Sequence, residues 1–444
     1  MQMIKLSVIA LAVAAASTQM AVASQQSQSN GFIEDSKLDA HARVLYMNRD
    51  FRNDRGQYSD DGSKLNSYNE DTGLGLKAIY ESGFTQGTVG FGVDAFGLQG
   101  IKLDSSGSKF GNNQLVARKN GEKAANYSSR AGGAVKARLS STVVKYGEQF
   151  VGLPVLHTAD SRLLPETTTG FLVTSNEIDN LELNLGHFTA LNAKDASRFD
   201  SYNDGQLRSL DLIGGRYNFT NDLSAAYYYS DAELGHKGAG REDVKKHYTN
   251  VNYTLPLANA QSLNFDFNMY NTKFKDKDAS AGNRSSKNNI WSLAAAYNFL
   301  DAHTVTFAHQ RSTGGNKGGY EYGHDGGDTV YLANSFQYQD FEKQGEKSFQ
   351  ARYDLDMATY GVPGLSFMTR YARGTNIKDQ TGDTNRNNGK NWEGNVEAKY
   401  VLQSGVAKDL SFRVRHATYR ANDAAGVADT NEVRLIVEYP LSIL

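Results

Sequence analysis

Phe412-Arg413-Val414-Arg415-His416 sets two arginines on one side of an alternating segment whose other side is apolar. Side chains of a strand point to opposite faces with period two, so Phe412 and Val414 share one face and both arginines the other. A packed core takes a row of guanidiniums only at a large desolvation cost, whereas a wide water-filled barrel holds them in its lumen and turns the greasy face to lipid. Other segments repeat the pattern. Ala131, Gly133, Val135, Ala137 and Leu139 share a face opposite Arg130, Lys136 and Arg138. Phe367, Thr369 and Tyr371 oppose Arg370; Phe349, Ala351, Tyr353 and Leu355 oppose Arg352 and Asp354; Val433, Leu435 and Val437 oppose Arg434 and Glu438.

These segments come in hairpins. Ile213-Gly-Gly-Arg-Tyr-Asn-Phe219 turns through 220–222 into Leu223-Ser-Ala-Ala-Tyr-Tyr-Tyr229, and Trp291-Ser-Leu-Ala-Ala-Ala-Tyr-Asn-Phe299 turns near Asp301 into Thr304-Val-Thr-Phe-Ala-His309. Turn formers stand where the chain must reverse. Further pairs are expected over 251–269, 349–371 and 396–419. One end of each pair has a short connection; the other has a long polar stretch, as at 273–288, 311–327 and 374–390. Short periplasmic turns and long outer loops are the habit of a transmembrane barrel. Tyr217, Phe219, Tyr253, Phe299, Tyr353, Tyr371 and Tyr439 stand near strand ends, where an aromatic girdle meets the membrane interface. The last stretch, Glu432-Val-Arg-Leu-Ile-Val-Glu-Tyr-Pro-Leu-Ser-Ile-Leu444, suits a closing strand, with Pro440 expected to end its regular ladder.

Residues 1–23 carry Lys5, an apolar run over 6–16 and the small-residue exit Ala21-Val22-Ala23, which is the layout of a cleaved export signal with the cut before Ser24. The remainder, 24–444, is expected to form a single barrel of roughly 16 to 20 strands at about 10 residues per tilted strand plus connections. The chain has no cysteine, so disulfides and thiolate chemistry are excluded. Lys and Arg total 47 against 49 Asp and Glu, with no basic tail, which disfavours a nucleic-acid partner. Glycine is abundant at 43 residues, Tyr and Phe contribute 25 and 21, and proline only 5. Mean hydropathy is -0.55. A barrel hides its membrane character in alternation, so that average does not exclude one.

Lumen-facing bases lower the energy of a passing carboxylate and offer it successive bidentate partners. The alternative is that they only keep the lumen wet, balanced by Asp354 and Glu438. Residues 153–171, with Pro154, Pro165 and the Ser/Thr-rich run 167–170, interrupt the hairpin rhythm. Folded inward, this stretch would constrict the lumen with Asp160, Arg162 and Glu166; folded outward, it is a surface loop. His324-Asp325-Gly-Gly-Asp328 is either a carboxylate-bearing lip for a substrate ammonium or a plain turn. The nine histidines are scattered, and no metal-ligand spacing, nucleophile elbow or phosphate loop occurs, so no metal, cofactor or catalytic residue is expected.

Nearly end to end, the chain resembles the OprD family of substrate-specific outer-membrane porins of Pseudomonas-like bacteria. The resemblance is carried by Gly31-Phe-Ile-Glu-Asp-Ser36, Tyr80-Glu-Ser-Gly-Phe-Thr-Gln-Gly-Thr-Val-Gly-Phe-Gly-Val-Asp-Ala-Phe96, Ser129-Arg-Ala-Gly-Gly-Ala-Val-Lys136, Tyr360-Gly-Val-Pro-Gly-Leu365 and Glu438-Tyr-Pro-Leu-Ser-Ile-Leu444. It implies an 18-stranded antiparallel barrel, monomeric or loosely trimeric, in outer-membrane lipid and lipopolysaccharide. It also implies an eyelet made by inward loops and a basic ladder that guides the carboxylates of small nutrients. Arg130, Lys136, Arg138, Arg370, Arg413, Arg415 and Arg434 are the ladder positions so implied. Arg162, within Ser161-Arg-Leu-Leu-Pro-Glu166, resembles part of the constricting third loop. Asp160, Glu166, Asp325 and Asp328 are the expected acidic groups of the constriction.

The expected function is passive, selective uptake of small carboxylate-bearing solutes, with basic amino acids or small peptides as one substrate class and cyclic or aromatic carboxylates as the other. Two further classes remain open on sequence grounds: a barrel-embedded hydrolase with a site near His157 or Asp211, and a structural or adhesive barrel acting through its outer loops.

Overall fold

The computed structural model describes residues 24–52, 67–105, 109–118, 123–197, 207–235, 241–276, 285–314, 330–378 and 388–443. Residues 1–23, which hold the expected export signal, and Asp325 and Asp328 lie outside the described residues. Eighteen strands form one sheet in which each pairs antiparallel with its sequence neighbours. The sheet closes because the first strand, Lys37–Phe51, pairs on one side with Tyr68–Glu81 and on the other with the last strand, Thr430–Ser442. Closure leaves no edge of unpaired N–H and C=O groups facing lipid, where each would cost several kcal/mol.

Eight connections of two to nine residues gather at one rim, among them 140–141, 179–180, 219–222 and 300–302. The long ones gather at the other, so that rim faces outward from the cell. Strands reach further toward the outer rim than alternation alone suggests: Ser262–Asp276, Ser285–Phe299, His303–Gly314, Leu365–Ile377 and Gly389–Val401 all enter stretches expected to be loop. Above the membrane both faces meet water, so the apolar alternation stops while backbone pairing continues. The ladder also runs past Pro440, which stands opposite His41, to Ser442 opposite Asp39. The neighbouring strand's last partner is Ser411 with Glu438, so the missing proline N–H points to a side where no acceptor waits. Thr167–Ile178 is a strand from its first residue, which takes the Ser/Thr-rich run 167–170 out of the expected loop.

Alternation sorts the wall as expected. Phe412 and Val414 are 45% and 50% exposed on the lipid face, while Arg413 and Arg415 turn inward. The buried core is not between sheets but inside the barrel, where wall residues meet segments of chain that fold into the lumen. Glycine on the wall makes room for one of them. A Cβ on Gly75 would lie 2.5 Å from the Leu163 carbonyl oxygen, and one on Gly73 would lie 2.5 Å from Leu163 Cδ2.

Two outcomes follow from this arrangement. Val414→Arg puts a cation in lipid and should cost about 2–4 kcal/mol in reversible urea unfolding from vesicles; a loss under about 0.5 kcal/mol, the range of an inert surface site, contradicts the lipid-facing assignment. Gly75→Val should overpack the lumen by about 1–3 kcal/mol and displace the Leu163 segment. Its readout is a larger single-channel conductance, and an unchanged conductance counts against that segment as a constriction.

Candidate functional site: a constriction facing an arginine wall

Residues 150–166 leave the strand Thr142–Gln149 and fold into the barrel before the wall resumes at Thr167. The inward reading of this stretch is the one the structure adopts. A two-residue hairpin, Gly152–Leu153 with Leu156–His157, turns on Pro154 and Val155. Its apolar side chains Leu153, Val155 and Leu156 pack on Tyr228, Tyr248, Tyr270 and Phe274 of one wall. Leu163 and Leu164 pack on Leu45, Phe96 and Leu98 of another. The segment is therefore stapled by hydrophobic burial at both ends, which makes it a strap across the lumen. Polar ties add to it: Tyr270 Oη donates to the Pro154 carbonyl at 3.0 Å, and the Ala159 N–H donates to Glu166 Oε2 at 3.0 Å.

Residues 330–346 form a second inward segment; the alternating stretch Thr329-Val-Tyr-Leu-Ala333 reads in sequence as a strand, but 330–333 are irregular. It starts in the cluster that holds the strap's Leu153, Val155 and Leu156, runs along the wall toward Gly389–Val401, and draws polar bonds from wall side chains: the Tyr331 N–H donates to Tyr270 Oη at 3.1 Å, Ala333 N–H to Ser292 Oγ at 3.0 Å, and Tyr338 N–H to Glu393 Oε1 at 3.0 Å. The two segments meet where His157 Nδ1 lies 2.6 Å from Tyr331 Oη, with Tyr331 Oη also 3.3 Å from the Gly152 carbonyl. Burial pushes the His157 imidazole down and the Tyr331 phenol up, so both are neutral at pH 7. A consistent arrangement has the imidazole N–H donating to the phenol oxygen and the phenol donating to Gly152.

Arginines converge on the wall formed by the strands Lys347–Asp356, Leu365–Ile377, Gly389–Val401, Ser411–Ala421, Thr430–Ser442 and Lys37–Phe51. Arg352 stands opposite Arg370, and Arg415 opposite Arg434. Like charges directly opposite repel, and carboxylates set between them offset the cost. Arg352 Nε is 2.7 Å from Asp354; Arg43 Nε is 2.8 Å from Glu438; Arg49 and Arg434 share Glu432, each at 2.6 Å. Arg413 and Arg415 share Glu397, with Nε atoms 3.8 and 2.9 Å from its oxygens. Neither Nε makes a hydrogen bond among the described residues. Two guanidiniums on one carboxylate leave a net positive charge, with side chains 27% and 21% exposed to the lumen.

The other expected ladder positions differ in setting. Arg370 and Arg434 are only 8% and 4% exposed because segment 330–346 covers them. Arg370 donates to the Ser335 carbonyl at 3.0 Å and lies 3.9 Å from the Phe336 ring centre; Arg434 donates to the Gln337 carbonyl at 2.9 Å. Arg130, Lys136 and Arg138 sit apart on Tyr127–Leu139. Arg130 donates to the Pro165 carbonyl at 2.5 Å, Lys136 pairs with Asp94 at 2.6 Å, and Arg138 donates to Gln26 Oε1 at 2.9 Å near the periplasmic rim.

Of the expected constriction residues, Asp160 bonds Arg43 at 2.7 Å and Lys77 at 3.1 Å. Burial opposes its ionisation, but those two cations outweigh it and hold the carboxyl below the ordinary aspartate range. Glu166 is buried at the base of the strap and pushed up by that burial, against the pull of Lys194 at 3.9 Å. Burial and the nearby Arg434 push Arg162 down to about 9, which leaves it charged at pH 7 and facing the arginine wall. Period-two reading of His41-Ala-Arg-Val-Leu-Tyr-Met-Asn-Arg49 would have added Arg43 and Arg49 to the wall. The alternation at 329–333 suggests a strand, whereas the partners of 330–346 come from distant strands that no local pattern reveals. Of the two alternative positions for a hydrolytic site, His157 is in the strap, beside Tyr331, and Asp211 is on the lipid face, 2.7 Å from His187.

A family model described as outer membrane porin, OprD family, matches residues 30–443. The chain is 48% identical to Porin D of Pseudomonas aeruginosa over 469 aligned residues that cover both chains in full. Its fold is similar to the crystal structure of OccAB1 of Acinetobacter baumannii, with a TM-score of 0.84 and 35% identity over 95% of this chain and 100% of that one. It is likewise similar to the crystal structure of Pseudomonas aeruginosa OpdK with vanillate, with a TM-score of 0.76 and 30% identity over 93% of this chain and 100% of that one. A closed 18-stranded barrel narrowed by inward segments, matched along its whole length by channel proteins, is not an enzyme. The chain belongs to the OprD family of substrate-specific porins and is a multi-pass channel of the bacterial outer membrane.

Proposed function

We propose that this porin admits small carboxylate-bearing solutes by passive diffusion, with basic amino acids and small peptides as its favoured cargo. Arg413 and Arg415 carry the reading: sharing Glu397, they keep a surplus positive charge and lumen-facing N–H groups for a substrate carboxylate. Several moderate sites favour flux over trapping, and Arg352 extends the row along the same wall. Arg370 and Arg434 act chiefly by holding segment 330–346 in place. Arg130 does the same for the strap, Lys136 and Arg138 tie the periplasmic end, and Arg162 adds charge at the constriction. Asp160 and Glu166 brace the strap, and the lip residues Asp325 and Asp328 are assigned to a substrate ammonium. Each barrel is a complete pore, alone or in a loose trimer, and residues 1–23 direct its export.

Aromatic carboxylates are the second reading, prompted by the vanillate in the OpdK structure. Uptake into proteoliposomes of arginine and lysine against benzoate and vanillate separates the two.

Arg413→Ala with Arg415→Ala should lower carboxylate flux relative to a neutral solute of equal size by on the order of tenfold, as loss of electrostatic focusing does. An unchanged ratio in planar bilayers removes both residues from the substrate path. Tyr331→Phe deletes the hydroxyl between strap and second segment while keeping the ring. It should raise single-channel conductance and open-state noise without changing ion preference; a changed preference with unchanged conductance would mean that Tyr331 touches solute rather than setting the aperture.

A further inference from the structure

Five successive strands, Ser285–Phe299, His303–Gly314, Lys347–Asp356, Leu365–Ile377 and Gly389–Val401, have an outward face with no aspartate or glutamate along its whole length. Near the outer rim that face carries Lys287, Arg311, Lys347, Arg373 and Lys390. The adjacent strand Ser262–Asp276 adds outward Lys273, opposite Lys287, and Lys275; further round the wall outward charges are paired, Asp211 with His187 and Lys245 with Asp231 at 2.8 Å. Among the described residues Arg311, Lys347 and Arg373 form no ion pair. Arg311 stands directly opposite Lys347, and Arg373 is opposite Phe349, diagonal to Lys347 on the next strand. Cations so placed repel each other, which disfavours the arrangement unless an anion lies between them.

Directly below them the wall has an apolar groove of about 470 Å³ lined by Leu293, Phe307, Phe349, Ala351 and Tyr371, with Arg373 at its upper edge. Phe307 is four residues nearer the periplasm than Arg311, about 13 Å at about 3.3 Å per residue. At the upper end of the groove His309 stacks on Phe349 with ring centres 4.3 Å apart and meets Trp291 edge-on at 5.3 Å, and Phe349 and Trp291 stand opposite Arg373 and Arg311. From rim to midplane the face thus passes from cations flanked by aromatic rings to an apolar groove, the order of an outer-leaflet lipid from headgroup to chain.

We propose that this face is a docking site for a phosphorylated glycolipid of the outer leaflet, lipid A, with its phosphate on Arg311, Lys347 and Arg373 and an acyl chain in the groove. A soluble anion has no use for the groove. The acid-free outward face of these five strands means that no carboxylate on the strands themselves competes for the cations. The site is on the outside of the wall, so it is separate from solute passage.

The test uses the refolded full-length barrel in neutral detergent with hexa-acylated, bisphosphorylated lipid A, its dephosphorylated form and phosphatidylglycerol as separate probes, read by native mass spectrometry and by Tm. The barrel should retain lipid A and gain Tm with it. Arg311→Gln with Lys347→Gln and Arg373→Gln should bind it about 100-fold more weakly, with three surface cations lost. The same triple variant should keep wild-type conductance. Lys273→Gln, an outward cation beyond the groove, should bind as wild type does. Lys347→Gln alone relieves the repulsion with Arg311 and should weaken binding about fivefold, which preserves the test should the triple variant fold poorly. Equal affinity of wild type and variants for lipid A overturns the site. Equal binding of dephosphorylated lipid A overturns the phosphate contact, and equal binding of phosphatidylglycerol overturns the choice of lipid.

Discussion

Everything in this molecule depends on one demand of the bilayer, that no backbone N–H or C=O be left unpaired in hydrocarbon. The pairing of Lys37–Phe51 with Thr430–Ser442 meets it by joining the chain's two ends. Once the sheet is closed at 18 strands it encloses a space too wide for wall side chains to fill. The lumen is thus a consequence of backbone pairing, and the functional features are ways of furnishing it.

Two kinds of furniture are present, and they support each other. The strap 150–166 and the segment 330–346 enter the lumen because apolar side chains at Leu153, Leu156, Leu163 and Phe336 find partners there. Their backbone carbonyls, removed from bulk water, need donors. Arginines of the wall supply them: Arg43 to Arg162, Arg130 to Pro165, Arg370 to Ser335 and Arg434 to Gln337. The same residue type therefore divides between two tasks. A guanidinium covered by an inward segment holds that segment; a guanidinium left open, as at Arg413 and Arg415, presents charge to the passage.

The lipid face has its own differentiation. Around the outer rim charge is not spread evenly, and the face from Ser285–Phe299 to Gly389–Val401 concentrates cations above a groove. A barrel so built meets the outer leaflet with one face of distinct chemistry, while its lumen serves solutes independently.

Period-two alternation, turn formers and connection lengths were enough to make the barrel, its orientation and the lumen-facing arginines legible, because each is a property of neighbouring residues. Phe412 through Arg415 illustrates it: adjacent positions on a strand must face opposite sides, whatever the rest of the chain does. The inward course of 150–166 was readable only as one of two options, and that of 330–346 was not readable at all. Their position is decided by contacts such as His157 with Tyr331 and Leu163 over Gly75, between residues far apart in sequence. Strand ends misled where apolar alternation stops above the membrane but hydrogen bonding does not, and Pro440 misled because its missing donor points past the end of a neighbour. The sequence by itself determined which side chains face the lumen, since strand geometry is local. Tertiary structure alone decided which of those arginines stay open to a solute and which are spent on loop carbonyls, since that depends on where two distant segments come to rest.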